Sequence, residues 1–570
     1  MQGHPTFPGR MSLSSYIRRS SLTVDDHRLS PLTMTVNNRA CNQHMKTSNI
    51  RMKQISFFLS VLLFLLFFLL LEGPMFYIPY YHEQHHLFLF TQTYLNSHLS
   101  APGQLLGYLT DFCIQFFYLP HTGKGWFALL LSLPYLLNVT ICHRLTRKHD
   151  LFLLALVPSL WLLIQYLSVD FPVAHIVGLD FCLLVYWAIS SVKPNRLKLI
   201  LFIPATVILY WICGWIYPVI TLIVILIPML SALSVTGYIT NNKYRLATNL
   251  FSLLVYAGGT FYFFIFSYNM RERLIIEAEI HLKAGQWEQV MDCCRRYRGQ
   301  NQLILYLNNI ALYHMGKMPD NLFDYPQTMG VQSLYLPWKS DSRQTEYGHY
   351  IYEQLGYINE AHRWAFEAMT VFGETAPNLI NLIRYNIVNY RPKVAMRFIR
   401  KLKHSLFYRK QAEKLEKHLS SGELTGLKTI PYDKDEKVRF ANILNIGPEL
   451  SYLCDKDSTN RMAFEYLMSD LLLSNQLVRF AENLKRIRSF PYPALPRIYE
   501  EALYTYRLGV DEDTFNKLGF DISPATEERF KAYYALYQRK DRQALKKQFG
   551  NTYWYYLNFL SPYGNKVITK

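Results

Sequence analysis

Cysteine is scarce and never stands in a C-x-x-C spacing: Cys41, Cys113, Cys142, Cys182, Cys213, Cys293, Cys294 and Cys454 are scattered along 570 residues. That spacing excludes a disulfide framework and a zinc ribbon, and the adjacent Cys293 and Cys294 read as structural. Also missing are a Walker phosphate loop, a G-x-S-x-G nucleophile elbow and a dinucleotide fingerprint, which leaves ATP-driven and soluble-hydrolase chemistry without sequence support. Acidic residues are outnumbered, 42 Asp and Glu against 60 Lys and Arg, for a formal charge of +18. No zinc-finger, RNP or basic-helix pattern accompanies that excess, so no nucleic-acid partner is expected. Many of the basic residues instead flank apolar runs.

Those runs define the first half. Spans are predicted at about Ile55 to Leu71, Trp126 to Cys142, Leu151 to Leu167, Val173 to Ser190, Leu197 to Cys213, Pro218 to Val235 and Ala247 to Phe266. The first ends in Glu72, Gly73 and Pro74 without a small-residue cleavage site, which favours an uncleaved anchor. From Arg271 the chain becomes charged, Tyr-rich and helically patterned. The expected fold is therefore all-α: a polytopic transmembrane bundle of about seven spans over 51–270, then a soluble α-solenoid over 271–570. Residues 1–50 are polar, Ser/Thr/Asn-rich and without a periodic apolar face, which reads as a disordered leader. Met45 or Met52 would each begin a more ordinary membrane protein.

Lys and Arg fall on alternate connections. Arg51 and Lys53 precede the first span, Arg144, Arg147 and Lys148 follow the second, Lys193, Arg196 and Lys198 the fourth, and Lys243 and Arg245 the sixth. The intervening connections are almost free of them, Lys124 being the exception. By the positive-inside rule the N-terminus is cytoplasmic and an odd number of spans carries the C-terminal half outward. In a Gram-negative cell this is an inner-membrane protein with a periplasmic domain.

In the C-terminal half, RERLIIEAEIHLKAGQWEQVMDCCRRY and YIYEQLGYINEAHRWAFEAM each read as a helical pair turning at a glycine, Gly285 and Gly356. Ala361 and Ala395 are separated by one tetratricopeptide period. Arg271 to about Leu419 thus resembles tetratricopeptide repeats, interrupted from about Pro319 to Pro337. The resemblance implies stacked helical pairs and a surface for a protein partner, set against a plain helical spacer with no ligand.

The outward loop from Gly73 to Gly125 is too apolar for an ordinary connection, and two interfacial helices are expected in LFLFTQTYLNSHL and GQLLGYLTDFCIQFFYL. Acidic residues of this half gather on the same side: Glu72, Glu83, Asp111, Asp170 and, inside the fourth span, Asp180 with His175 nearby. A carboxylate within a span lines a cavity or serves a site, or else reaches water from a helix end. A first span, a long outward loop with juxtamembrane helices and an early acidic residue, further spans and an outward soluble domain together resemble the GT-C class of polyprenyl-phosphate-sugar-dependent glycosyltransferases. The resemblance implies Glu83 as acceptor-side base, with Asp111 or Glu72 as alternates, Asp180 and His175 shaping the cavity, and a polyprenyl-phosphate-linked sugar as donor. The whole chain is also similar to uncharacterised bacterial polytopic proteins with a helical tail.

A second chemistry overlaps the first. His82, Glu83, Gln84, His85 and His86 spell H-E-x-x-H, which on one helix sets His82 and His86 side by side for a divalent metal and leaves Glu83 to activate water. A third ligand would come from His98, Asp111 or His121. The remaining possibility is a membrane scaffold without catalysis, in which these residues only hold the fold.

Overall fold

The computed structural model describes residues 54–146, 153–235, 242–337, 342–424, 426–427 and 445–564. The predicted leader lies outside the described residues. So do Arg51 and Lys53 and the connection carrying Arg147 and Lys148. Apart from 54–58, the described residues belong to one compact unit, Leu59–Lys570.

The apolar run from Ile55 holds no proline or charge before Glu72, and it forms a single helix, α1 (Gln54–Glu72), which ends at Gly73 and Pro74. The loop after it folds as α2 (Tyr77–His85), α3 (Gln92–Ser97) and α4 (Leu105–Ile114). The bundle continues through α5 (Pro120–Thr146), α6 (Val157–Gln165), α7 (Ala174–Ser191), α8 (Asn195–Cys213), α9 (Ile216–Val235) and α10 (Asn242–Ser267). Among the described residues five stretches are long and apolar enough to cross a membrane: α1, Pro120–Leu145, α7, α8 and Leu250–Ser267. Leu154–Gln165 and Ile216–Ile227 are apolar but shorter.

Local chemistry explains the irregular points. Pro134 inside α5 disturbs the ladder, and the next amide, that of Tyr135, donates to Ser159 Oγ of α6 at 3.2 Å. Gly214 ends α8 at φ +79° and faces Gly103, whose amide donates to the Trp211 carbonyl at 2.9 Å. A Cβ on Gly103 would lie 3.3 Å from Gly214 Cα, so the two backbones approach as closely as glycine permits. Phe67, Leu71, Phe127, Tyr135, Ile176 and Leu183 are central members of the bundle core, which also takes in Ile276 from beyond α10.

The C-terminal half begins with the pair α11 (Met270–Lys283) and α12 (Trp287–Arg296), followed by α13 (Gln302–His314). The predicted interruption is present: a short helix, α14 (Met318–Asn321), leads into 3-10 turns at Leu322–Asp324 and Gly330–Ser333. Pairing resumes with α15 (His349–Leu355) and α16 (Ile358–Phe372), then α17 (Ala376–Val388) and α18 (Pro392–Leu402), then α19 (Arg409–Glu416). Ala361 and Ala395 both lie in the second helix of their pairs and are fully buried. Further pairs follow at Gly447–Lys456 with Arg461–Leu473, and Leu477–Leu484 with Arg497–Arg507. Pro524–Gln538 with Arg542–Phe549 completes the series.

One turn recurs between these helices. After α11, Gly285 adopts φ +69°, its amide donates to the Leu282 carbonyl, and the Gln286 amide donates to His281 at 2.8 Å. This is the Schellman arrangement, which satisfies carbonyls at the helix end. The same wide bond joins Tyr357 to Tyr352, Arg391 to Asn386, Gln476 to Leu471 and Asp541 to Leu536, with Gly356, Tyr390, Asn475 and Lys540 in the left-handed position.

Candidate functional site at the junction of the two halves

Of the residues singled out in the loop, His82 and Glu83 lie on α2 and His86 directly follows it, and the helix is packed on both sides. Its Tyr77, Ile78, Pro79, His82 and Glu83 are buried. The helix ends at His85, and His86 is already extended at φ −126°, ψ 140°. The expectation of one helix carrying the whole H-E-x-x-H string is thus corrected. The physical reason is that Leu87 must turn away to pack with the Ala376–Leu402 core, and Phe90 donates its amide to the His404 carbonyl at 2.9 Å.

Glu83 is 5 % exposed and is closed in by the C-terminal half: Tyr408, ahead of α19, donates its hydroxyl to Oε1, and Gln84 Nε2 donates to Oε2 at 2.6 Å. Burial raises the Glu83 carboxyl above its ordinary range against these two bonds. His82 is buried without a hydrogen-bond partner for Nε2 among the described residues. Burial, with His86 and His85 nearby, lowers its pKa to about 3, so it is neutral. His85 has Nδ1 at 2.7 Å from the Tyr81 carbonyl and Nε2 at 3.0 Å from Glu346. Burial alone would lower its pKa; the Glu346 carboxylate outweighs that and raises it.

His86 and Asp111 do meet, with Nδ1 to Oδ1 at 2.8 Å, and Tyr94 donates its hydroxyl to the other Asp111 oxygen. Glu72 is held elsewhere, by Lys124 at 2.7 Å and His121 at 2.8 Å. His175 lies 3.2 Å from the Tyr217 hydroxyl and packs on the Phe171 ring at 4.7 Å. Asp180 is 3 % exposed, and neither of its oxygens has a hydrogen-bond partner among the described residues, so His175 and Asp180 are not joined. The buried Thr110 hydroxyl on α4, a helix packed against α7, is unpartnered in the same sense.

Sequence reasoning missed a second polar group in this junction. Lys283 of α11 donates to Glu279 at 2.7 Å, to Gln84 Oε1 at 3.0 Å and to the Tyr80 hydroxyl at 3.1 Å, while Tyr347 donates to the other Glu279 oxygen at 2.8 Å. Burial would raise the Glu279 carboxyl, but Lys283 and the Tyr347 hydroxyl bring it below its ordinary range. The four-residue spacing of Glu279 and Lys283 was a visible signal; Glu346 and Tyr408 left none. The cleft among Tyr80, Gln84, His85, Glu279, Lys283 and Glu346 has a volume of about 30 Å³. That is the space of a single water, too little for a sugar.

For a metal, the one group of three described side chains with ligand atoms within 4.8 Å of one another is Glu277, His281 and Cys293, away from the H-E-x-x-H string. Two guanidinium groups already occupy it: Arg273 at 3.3 Å and Arg296 at 3.0 Å from Glu277, the latter also 3.4 Å from Cys293 Sγ. These cations meet the charge that a metal ion would meet.

A model for a protein family of unknown function, DUF6057, matches residues 51–560. No curated protein and no solved structure matches the chain.

Proposed function

The chain belongs to the DUF6057 family, and on that footing we propose that it is a multi-pass membrane scaffold whose helical half is clamped to the bundle and carries a surface for a protein partner. The observation that supports this best is the state of Glu83: its carboxylate is sealed by Tyr408 and Gln84 beside a cleft of about 30 Å³. A catalytic base must reach the proton it takes, and here the protein's own side chains fill that space.

In this reading the apolar stretches at Leu154–Gln165 and Ile216–Ile227 complete seven spans with the five longer ones. Arg144, Lys193 and Lys198 line one groove at the end of the bundle remote from α2, in keeping with a cytoplasmic N-terminus and an outward helical half in an inner membrane. The paired helices and the buried Ala361 and Ala395 support a tetratricopeptide-like solenoid as the partner surface.

A second reading, a GT-C-like transferase using a polyprenyl-phosphate-linked sugar, is favoured by one specific observation. His82 Nε2, the Thr110 hydroxyl and both Asp180 oxygens are buried polar atoms without hydrogen-bond partners among the described residues. Such atoms are unfavourable unless a ligand, ion or water meets them. Catalysis would then require Tyr408 to swing off Glu83.

Complementation separates the two. In a strain lacking the gene, Glu83→Gln is expected to rescue the deletion phenotype and a chain ending before Arg271 to fail. Failure of Glu83→Gln at normal membrane abundance, with activity retained by Tyr408→Phe, would overturn the scaffold in favour of the transferase.

A further inference from the structure

At the end of the bundle remote from α2, the helices α5, α7, α8 and α9 enclose a groove of about 1260 Å³. Its walls are apolar, with Tyr186 stacked on Phe202 at 5.5 Å and Ile225 buried behind them. The groove opens along α8, where Leu199 and Ile203 are 71 % and 67 % exposed, a surface suited to hydrocarbon rather than water. Arg144, Lys193 and Lys198 line the same groove, and among the described residues no acidic one does.

Arg144 is held in place. Its Nη1 donates to the Trp187 carbonyl at 2.9 Å and to Ser190 Oγ at 3.1 Å, and the guanidinium lies over the Trp187 ring at 4.7 Å. These contacts fix the group without neutralising it. They leave Nε and Nη2 without hydrogen-bond partners among the described residues. A planar donor fixed in this way suits a phosphate oxygen pair. Lys193 and Lys198 add two point charges within the same groove, at the start of α8.

We propose that this groove binds an anionic phospholipid of the surrounding bilayer, its phosphate among Arg144, Lys193 and Lys198 and its acyl chains along the apolar wall. Charge complementarity selects that occupant: a net-negative headgroup is attracted by the three cations, which have no acidic partner among the described residues, whereas a choline headgroup places a fourth cation beside them. The inference rests on the reading of the bundle as membrane-embedded.

The experiment uses the full chain. Retention in membranes washed with alkaline carbonate is established first, because release would sink the membrane reading and this site together. Native mass spectrometry of the detergent-purified protein is then titrated with phosphatidylglycerol, phosphatidylcholine or a polyprenyl phosphate. Phosphatidylglycerol is expected to bind in preference to phosphatidylcholine, and Lys193→Gln with Lys198→Gln to weaken it about 25-fold, roughly five-fold for each lost cation. Lys193 is exposed and Lys198 half-buried, and an unchanged elution profile verifies folding. Equal binding of the two phospholipids, an unchanged affinity in the double variant, or preferential displacement by the polyprenyl phosphate would each overturn the assignment.

Discussion

At His82, burial lowers the imidazole pKa to about 3, so between about pH 6.5 and that value the unfolded chain takes a proton that the folded chain does not. Stability from this group is complete above the ordinary histidine range and is lost as pH falls, by about 2 kcal/mol at pH 5. His85 has the opposite sign: its raised pKa gives stability that is full at low pH and fades as pH rises through the folded value. Comparing melting temperatures of wild-type and His82→Gln proteins at pH 7 and pH 5 isolates the first effect, because His85 is common to both. The variant is expected to lose less stability on acidification, and an identical loss would contradict the neutral, sealed state of His82. The string HEQHH was plain in the sequence, and so was the gathering of carboxylates on one side. What became of them was not, because Tyr408, which seals Glu83, lies 325 residues along the chain, and no local pattern marks a tyrosine as a carboxylate's partner.

At the scale of elements, the recurring turn carries testable consequences. Gly356 sits at φ +84° in the left-handed region, where a Cβ is unfavourable by roughly 1–2 kcal/mol. Gly356→Ala should therefore lower the melting temperature of the full chain. Lys540 occupies the equivalent position at φ +57°, and Lys540→Gly should raise it, gaining up to about 1 kcal/mol once glycine's extra chain entropy is subtracted. An unchanged melting temperature in both variants would contradict the shared turn. The turns with glycine, after α11 and α15, were legible from sequence. Those that place Tyr390, Asn475 or Lys540 in the left-handed position were hidden, since the backbone bond that stabilises them leaves no composition signal. The long apolar helices were legible for the reason that water disfavours such runs, whereas the end of α2 at His85 was set by distant packing.

For the whole molecule, composition changes sharply near Arg271 while packing continues across it. Ile276 joins the bundle core, Tyr268 donates to the Pro74 carbonyl at 3.0 Å, and Arg273 stacks on Phe76 at 5.5 Å. On the other flank of α2, Tyr408 holds Glu83 and Glu346 holds His85. The helical half thus packs on the bundle directly and also through α2, which is held by Lys283 at Tyr80 and Gln84 on one flank and by Tyr408 and Glu346 on the other. Hydrogen exchange of the Tyr77–His86 amides, in full-length protein reconstituted in nanodiscs, tests that grip most directly. Protection comparable to the core of α7 is expected, falling about five-fold or more in Tyr408→Phe, which removes a buried bond worth about 1–3 kcal/mol. Exchange as fast as that of an exposed surface helix, unaltered by Tyr408→Phe, would contradict the account.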